Sequence, residues 1–136
     1  MTKIQNMKRG VSEIGDLKNV VASATFTIGA EAGNAINVAI QLQDWKGADI
    51  NYRAGLAWYL SSDATGDTIS AAPDSGIAIG TDGLLIEWTN NVSGWVISES
   101  DGDIDVTLTE STAKSFYLNL ILPGGKLATS GAITFA

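Results

Sequence analysis

The sequence predicts an all-β fold: a single antiparallel β-sandwich, Ig-like or jelly-roll-like, of eight or nine strands, with an extended N-terminal arm. Three observations predict it. Apolar and polar residues alternate over many short runs, the period that puts one set of side chains on one side of a sheet. The runs recur every 8–12 residues or so, with Gly, Asp, Asn or Pro turn signals between them. No stretch carries a sustained helical period. The organisation that follows is an arm over residues 1–18 and a sandwich domain over 19–136.

Taken in order, the arm comes first. Gly10 and Gly15 weaken any helix across residues 6–18. Residues 20–28 read as the first strand, with Val20, Ala22, Ala24, Phe26 and Ile28 on one face. Residues 29–34 break it, and Ile36, Val38, Ile40 and Leu42 then alternate with Asn37, Ala39, Gln41 and Gln43. After a loop holding Trp45, Lys46 and Gly47, the next strand turns Ala54, Leu56, Trp58 and Leu60 inward. Residues 61–76 form the longest aperiodic stretch, and a loop of that length is usually functional or carries short edge strands. Ile77 and Ile79 mark a short strand, and Thr81-Asp82-Gly83 a hairpin turn. Leu84, Ile86 and Trp88 read as the inward set of the following strand, so Trp88 joins Trp58 in the core. A turn at residues 90–94 and a strand over 95–100 follow.

The last third organises the rest. Ile104, Val106 and Leu108 alternate with Asp105, Thr107 and Thr109, and Phe116, Leu118, Leu120 and Leu122 with Tyr117, Asn119 and Ile121. Leu122-Pro123-Gly124-Gly125 has Pro and Gly where a type II turn needs them. A further run ends with Ile133 and Phe135. These read as three consecutive antiparallel strands, for which the upstream strands supply the second wall of the core.

Composition narrows the functions. At 136 residues the chain is one domain by length. A chain of this size buries roughly 68% of its unfolded surface, enough for a core without staples. It has no cysteine and no histidine, which removes disulfide and thiol chemistry, the commonest general base and the commonest zinc ligand. A net charge of −7 argues against a nucleic-acid partner. No apolar run is long enough to span a membrane, and residues 1–20 lack the apolar core of a signal peptide. The charge is uneven: the first 18 residues sum to +2 and the remainder to −9. The leader is therefore either an ordinary polar tail or an arm that lies on an acidic neighbour.

Candidate sites were weighed one by one. Glu99, Asp101, Asp103 and Asp105 stand at alternate positions, but an EF-hand opening at Asp101 would put Val106 and Thr112 where Gly and Glu belong. A looser calcium site with Asp63 and Asp67 is the alternative to a solvated strand face. Paired acids also serve glycoside hydrolysis, yet nothing marks either as buried. There is no G-x-S-x-G elbow, and Gly29-Ala-Glu-Ala-Gly33 is not a phosphate loop. No enzyme, cofactor or metal is expected. Trp45 and Tyr52 are the loop aromatics, and Trp45 is either a lid on the sandwich end, a protein hot spot or a sugar platform. In the leader, Ile4, Met7, Val11, Ile14 and Leu17 could enter grooves on a partner, while Lys3, Lys8 and Arg9 could pair with its acids.

Five groups of segments carry a resemblance. They are Ala24-Thr-Phe-Thr-Ile-Gly-Ala-Glu-Ala-Gly33 with the strand at 36–42, then Ala57-Trp-Tyr-Leu-Ser-Ser-Asp-Ala64, and then Ala78-Ile-Gly-Thr-Asp-Gly-Leu84. The others are Ser98-Glu-Ser-Asp-Gly-Asp-Ile-Asp105, and Leu120-Ile-Leu-Pro-Gly-Gly-Lys126 with Ser130-Gly-Ala-Ile-Thr-Phe-Ala136. Together they resemble a family of small Ig-like or jelly-roll-like β proteins encoded in the structural gene clusters of tailed bacteriophages and prophages. The resemblance covers strands and turns over about residues 24–136 and no active site. It implies a virion component, first of all a head decoration or cement protein that binds the major capsid protein on the capsid exterior. Such a protein is made in the host cytoplasm and self-associates, with a trimer favoured over a dimer. The alternatives are a receptor- or polysaccharide-binding module of a phage fibre or tail, and a bacterial carbohydrate-binding or adhesin domain.

The leader has too little apolar periodicity to order itself and is expected to order only against a partner. Deleting residues 1–18 should leave the sandwich folded and abolish retention on capsids. Sedimenting the truncated chain with capsids that lack it checks this, and full occupancy would reduce the arm to a tail.

Overall fold

The computed structural model describes residues 20–136. The arm, with Lys3, Ile4, Met7, Lys8, Arg9, Val11, Ile14 and Leu17, lies outside the described residues. From residue 20 onward the chain is all-β, with ten strands and no helix among the described residues. The strands are β1 (Ser23–Ile28), β2 (Ala35–Gln43), β3 (Gly55–Ser61), β4 (Ile77–Ile79) and β5 (Leu84–Thr89). They continue with β6 (Ser93–Ile97), β7 (Asp103–Thr109), β8 (Ser115–Ile121), β9 (Leu127–Thr129) and β10 (Ile133–Thr134). Two antiparallel sheets result. One runs β1-β2-β7-β4; the other runs β10-β8-β3-β6-β5, with β9 also paired to β8.

The core lies between them, and the alternation explains it. Val38, Ile40 and Leu42 of β2 and Ile104, Val106 and Leu108 of β7 line one wall. Leu56, Trp58 and Leu60 of β3 and Leu118 and Leu120 of β8 line the other, and all are buried. The expected face-to-face packing of the 36–42 and 116–122 runs is therefore present in one continuous core. Phe116 and Phe135 close one end of it edge to face, with ring centroids 6.1 Å apart.

Turn chemistry follows the sequence at several points. Gly124 has φ +89° and Gly125 N donates to Leu122 O at 2.9 Å, the type II turn that Pro123-Gly124 sets up. Gly33 and Asn34 both have positive φ, the pair a tight hairpin loop demands. Glu110 ties the long 61–76 loop to the end of β7. Its buried carboxylate accepts from Asp74 N at 3.0 Å, Thr112 N at 3.1 Å and Lys114 Nζ at 3.3 Å. Hydrogen bonds led by the Thr112 hydroxyl hold its pKa below the usual glutamate value.

Three expectations about elements are corrected. Asp82-Gly83 is not a hairpin turn, because β4 pairs with β7 and β5 with β6. It carries the chain from one sheet to the other, held by Asp105 Oδ1 on Asp82 N (2.9 Å) and Glu99 Oε1 on Gly83 N (3.0 Å). The strands at 104–109 and 116–122 are likewise not neighbours but lie in opposite sheets. At the start of the domain Val21, not Val20, is buried, since the ladder of β1 begins only at Ser23.

Leu118 is 2% exposed in the middle of this core. Leu118→Ala is expected to cost about 2–5 kcal/mol through lost burial and the cavity left behind. A lowered urea midpoint at unchanged slope checks it.

Candidate functional site

The two sheets turn very different faces to the outside. On the four-stranded sheet the outward positions are small, polar or acidic: Thr25 and Thr27 of β1, Asn37, Ala39 and Gln41 of β2, Asp103 and Asp105 of β7. Asn37 Nδ2 donates to Thr107 Oγ1 at 3.3 Å, and Thr25 Oγ1 to Gln43 Oε1 at 2.9 Å. This is the alternation of a sheet with one face in water. A shallow groove of about 180 Å³ crosses it, lined by Thr25, Gln41, Asp82, Asp103 and Asp105 among others. Asp103 has its pKa raised, first by partial burial and then by the charges of Asp101, Asp82, Asp49 and Asp105.

The outward face of the six-stranded sheet carries no charged side chain on any of its strands. Register places Ile86, Trp95, Ala57, Ile121 and Leu127 in one row across β5, β6, β3, β8 and β9. Leu84, Ile97 and Gly55 form the row on one side. Ser93, Tyr59, Asn119 and Thr129 form the row on the other. Leu84, Ile86, Trp88, Trp95 and Ile121 are between 37% and 63% exposed. Large apolar groups left open together in this way mark an interaction surface.

Local features shape this surface. Trp95 lies across Gly55, where a Cβ would come within 2.4 Å of the indole Nε1. At Gly94 a Cβ would stand 1.8 Å from Ile86 O, so only glycine fits between β5 and β6 there. The register shifts between Glu87 and Thr89, a bulge that leaves Trp88 unpaired. Trp88 and Trp95 form a tilted pair, centroids 6.1 Å apart and planes at 34°. One end of the face is roofed by the chain itself. Tyr59 Oη donates to Gly66 O at 2.8 Å, and Gly66 sits directly over Asn119 and Leu127.

Trp88 is thus outside, against the inward assignment made from alternation. The strand is apolar in both phases at Leu84, Leu85 and Ile86, so its own sequence does not fix the face. Pairing does: Leu85 stands opposite Val96, and Val96 opposite Leu56, all facing the core. A shift of one residue exchanges the faces of a strand entirely. Trp58 is in the core as expected, 2% exposed, with its Nε1 buried and without an acceptor.

Trp45 is 52% exposed at the end of the sandwich, with Lys46 Nζ 5.2 Å from its ring centroid. It borders a groove of about 350 Å³ with Val20, Val21, Ala22, Leu122, Pro123 and Lys126. Tyr52 packs against the core instead of extending Trp45 into a platform. The four acids weighed for calcium do not converge. Asp63 follows Ser61 at one end of β3, whereas Asp101 and Asp103 lie beyond Ile97, which pairs with Gly55 at the other end. Asp63 Oδ1 instead accepts from Asp67 N at 3.0 Å. Among the described residues no group of three or more acidic side chains is placed to hold a metal ion, and no helix is long and apolar enough to cross a membrane.

Fold and surface together define a two-faced all-β sandwich, acidic and solvated on one side, uncharged and apolar on the other. No protein-family model and no curated protein matches the chain.

The raised pKa of Asp103, from partial burial first and then from the acids around it, has a measurable consequence. Its folded pKa lies above the unfolded value of 3.8, so ionising it opposes folding at neutral pH and the penalty fades as pH falls toward 3.8. Asp103→Asn is expected to melt higher than wild type at pH 7. The gain should vanish below the unfolded pKa, as thermal melts over a pH series would show.

Proposed function

We propose that the protein is a non-catalytic structural component of a tailed-phage virion, a head decoration protein that binds the major capsid protein lattice and stabilises the shell. The observation that carries this reading is the contrast between the two sheet faces. A subunit that sits in a protein shell needs one side that water can cover and one that another protein must cover. The uncharged sheet face meets the second need, and the acidic sheet the first. The strand and turn segments over residues 24–136 support the phage assignment through their resemblance, and the basic leader supports an arm laid on an acidic neighbour.

One observation favours a second reading. Trp88 and Trp95 side by side on a flat sheet could stack on sugar rings, as a polysaccharide-binding module of a fibre or tail would require. The face offers such a ligand few hydrogen-bonding groups, because Asn119 is fully buried and Tyr59 Oη is already committed to Gly66 O. That imbalance favours protein over sugar.

Mixing the full chain with capsids that lack it should give saturable co-sedimentation and capsids that withstand higher temperature. Retention on insoluble polysaccharide with none on capsids would replace the decoration reading with the second one.

A further inference from the structure

We infer that the uncharged face of the six-stranded sheet is the interface between two copies of this chain, packed face to face about a twofold axis. The inference rests on the reading of the protein as a shell component and gives the surface described above to a second copy, which leaves attachment to the shell to other parts of the chain.

Charge supports a second copy. Residues 19–136 sum to −9, so two copies repel through most of their surfaces. The strand positions around Trp95 and Ile121 carry no acid; the nearest acids are Asp63 and Asp67 in the loop over one end of the sheet and Glu99, paired with Arg53, at the other. Asp82, Asp103 and Asp105 stand on the opposite sheet, about 10 Å behind in each copy. Across a face-to-face dimer they are therefore separated by more than the screening length of about 8–10 Å at ordinary salt. A heterologous partner normally matches a charge pattern for register and encounter. The strand positions of this face offer none to match, and charge appears only at its border, in the Arg53–Glu99 pair and the loop acids Asp63 and Asp67.

Area points the same way. Five strand positions at about 4.8 Å and a strand length of about 24 Å give a face of roughly 550 Å² in plan. Two such faces, with one end of each under the 62–69 loop, bury less than roughly 1,100 Å², the size of a weak interface that forms and parts in a micromolar concentration series. A face stacked on its copy about a twofold axis closes at two, so this interface makes a dimer where the resemblance implies a trimer first and a dimer second. Supply matters too: Trp88 is 63% exposed and would be an aggregation liability if left open. A second copy is the one partner always present.

Sedimentation velocity of the free full-length chain, without capsids, over a micromolar concentration series tests this. Wild type should pass from monomer to dimer, and Trp88→Glu or Ile121→Glu should stay monomeric at every concentration. Thr25→Glu, on the acidic sheet, should dimerise nearly as wild type does. Tryptophan emission of the wild type should shift to the blue as the dimer forms, a readout that needs no variant to fold. A wild type that stays monomeric throughout, or a Trp88→Glu chain that folds and dimerises unchanged, overturns the proposal. Blue-shifted emission only on adding capsids or polysaccharide would hand the face to that occupant instead. Because the assay contains no capsid, dimerisation can fail while capsid binding holds, and the reverse.

Discussion

The pairing of β3 with β8 at the centre of the six-stranded sheet sets the phase of nearly everything around it. Trp58 stands opposite Leu120 and Leu60 opposite Leu118, and all four point into the core. Once that is so, the period of two leaves no choice for their neighbours. Ala57 and Ile121 must point outward, Trp95 must follow Ala57, and Ile86 must follow Trp95. The strands β5, β6 and β8 carry apolar residues in both phases, and only one phase fits between the sheets. The surplus is displaced to the outside, where it forms a row. The exposed apolar face is therefore a direct consequence of the same alternation that builds the core.

The opposite sheet meets the same constraint with different residues. In β2 and β7 the inward phase is Ile, Val and Leu, and the outward phase is Asn, Ala, Gln, Asp and Thr. Partial burial first, and then the charges of neighbouring acids, raise the pKa of Asp103. An acidic face of that kind keeps copies apart in water. Placing acids on the outward positions of one sheet and none on the outward strand positions of the other makes the molecule directional.

Strands whose outward phase is polar were legible residue by residue, as in 36–42 and 104–109. So was the Pro123-Gly124 turn, whose chemistry is local. What the sequence did not settle was the face of β5, where Leu84, Leu85 and Ile86 satisfy either phase, and the destination of the chain after Asp82-Gly83. Both are decided by long-range pairing: Leu85 by Val96, and the turn by the carboxylates of Asp105 and Glu99. The candidate face did leave a trace. The outward phases at 55, 57 and 59, at 93, 95 and 97, and at 117, 119 and 121 contain no Asp, Glu, Lys or Arg. Reading charges by strand face, and not along the chain, would have exposed it. The loop position of Trp45 marks it as a surface aromatic but says nothing about a neighbouring strand.

The chain itself shows what covering this sheet requires. Where its own 62–69 loop roofs the outer face, the polar groups beneath are bonded. Asn119 is fully buried, its Nδ2 donating to Ser61 Oγ at 2.8 Å and its Oδ1 accepting from Thr129 Oγ1 at 2.7 Å. Burying such an amide without partners would cost about 1–3 kcal/mol. Beyond the edge of that loop, Ile86, Trp95, Ala57 and Ile121 present side chains without that demand, the exception being the indole N–H of Trp95. A cover for this part of the sheet needs shape and apolar surface, and scarcely any donors or acceptors. The polar groups that need precise partners beneath the loop are already enclosed by the fold, and the part left open asks its cover for shape and apolar surface.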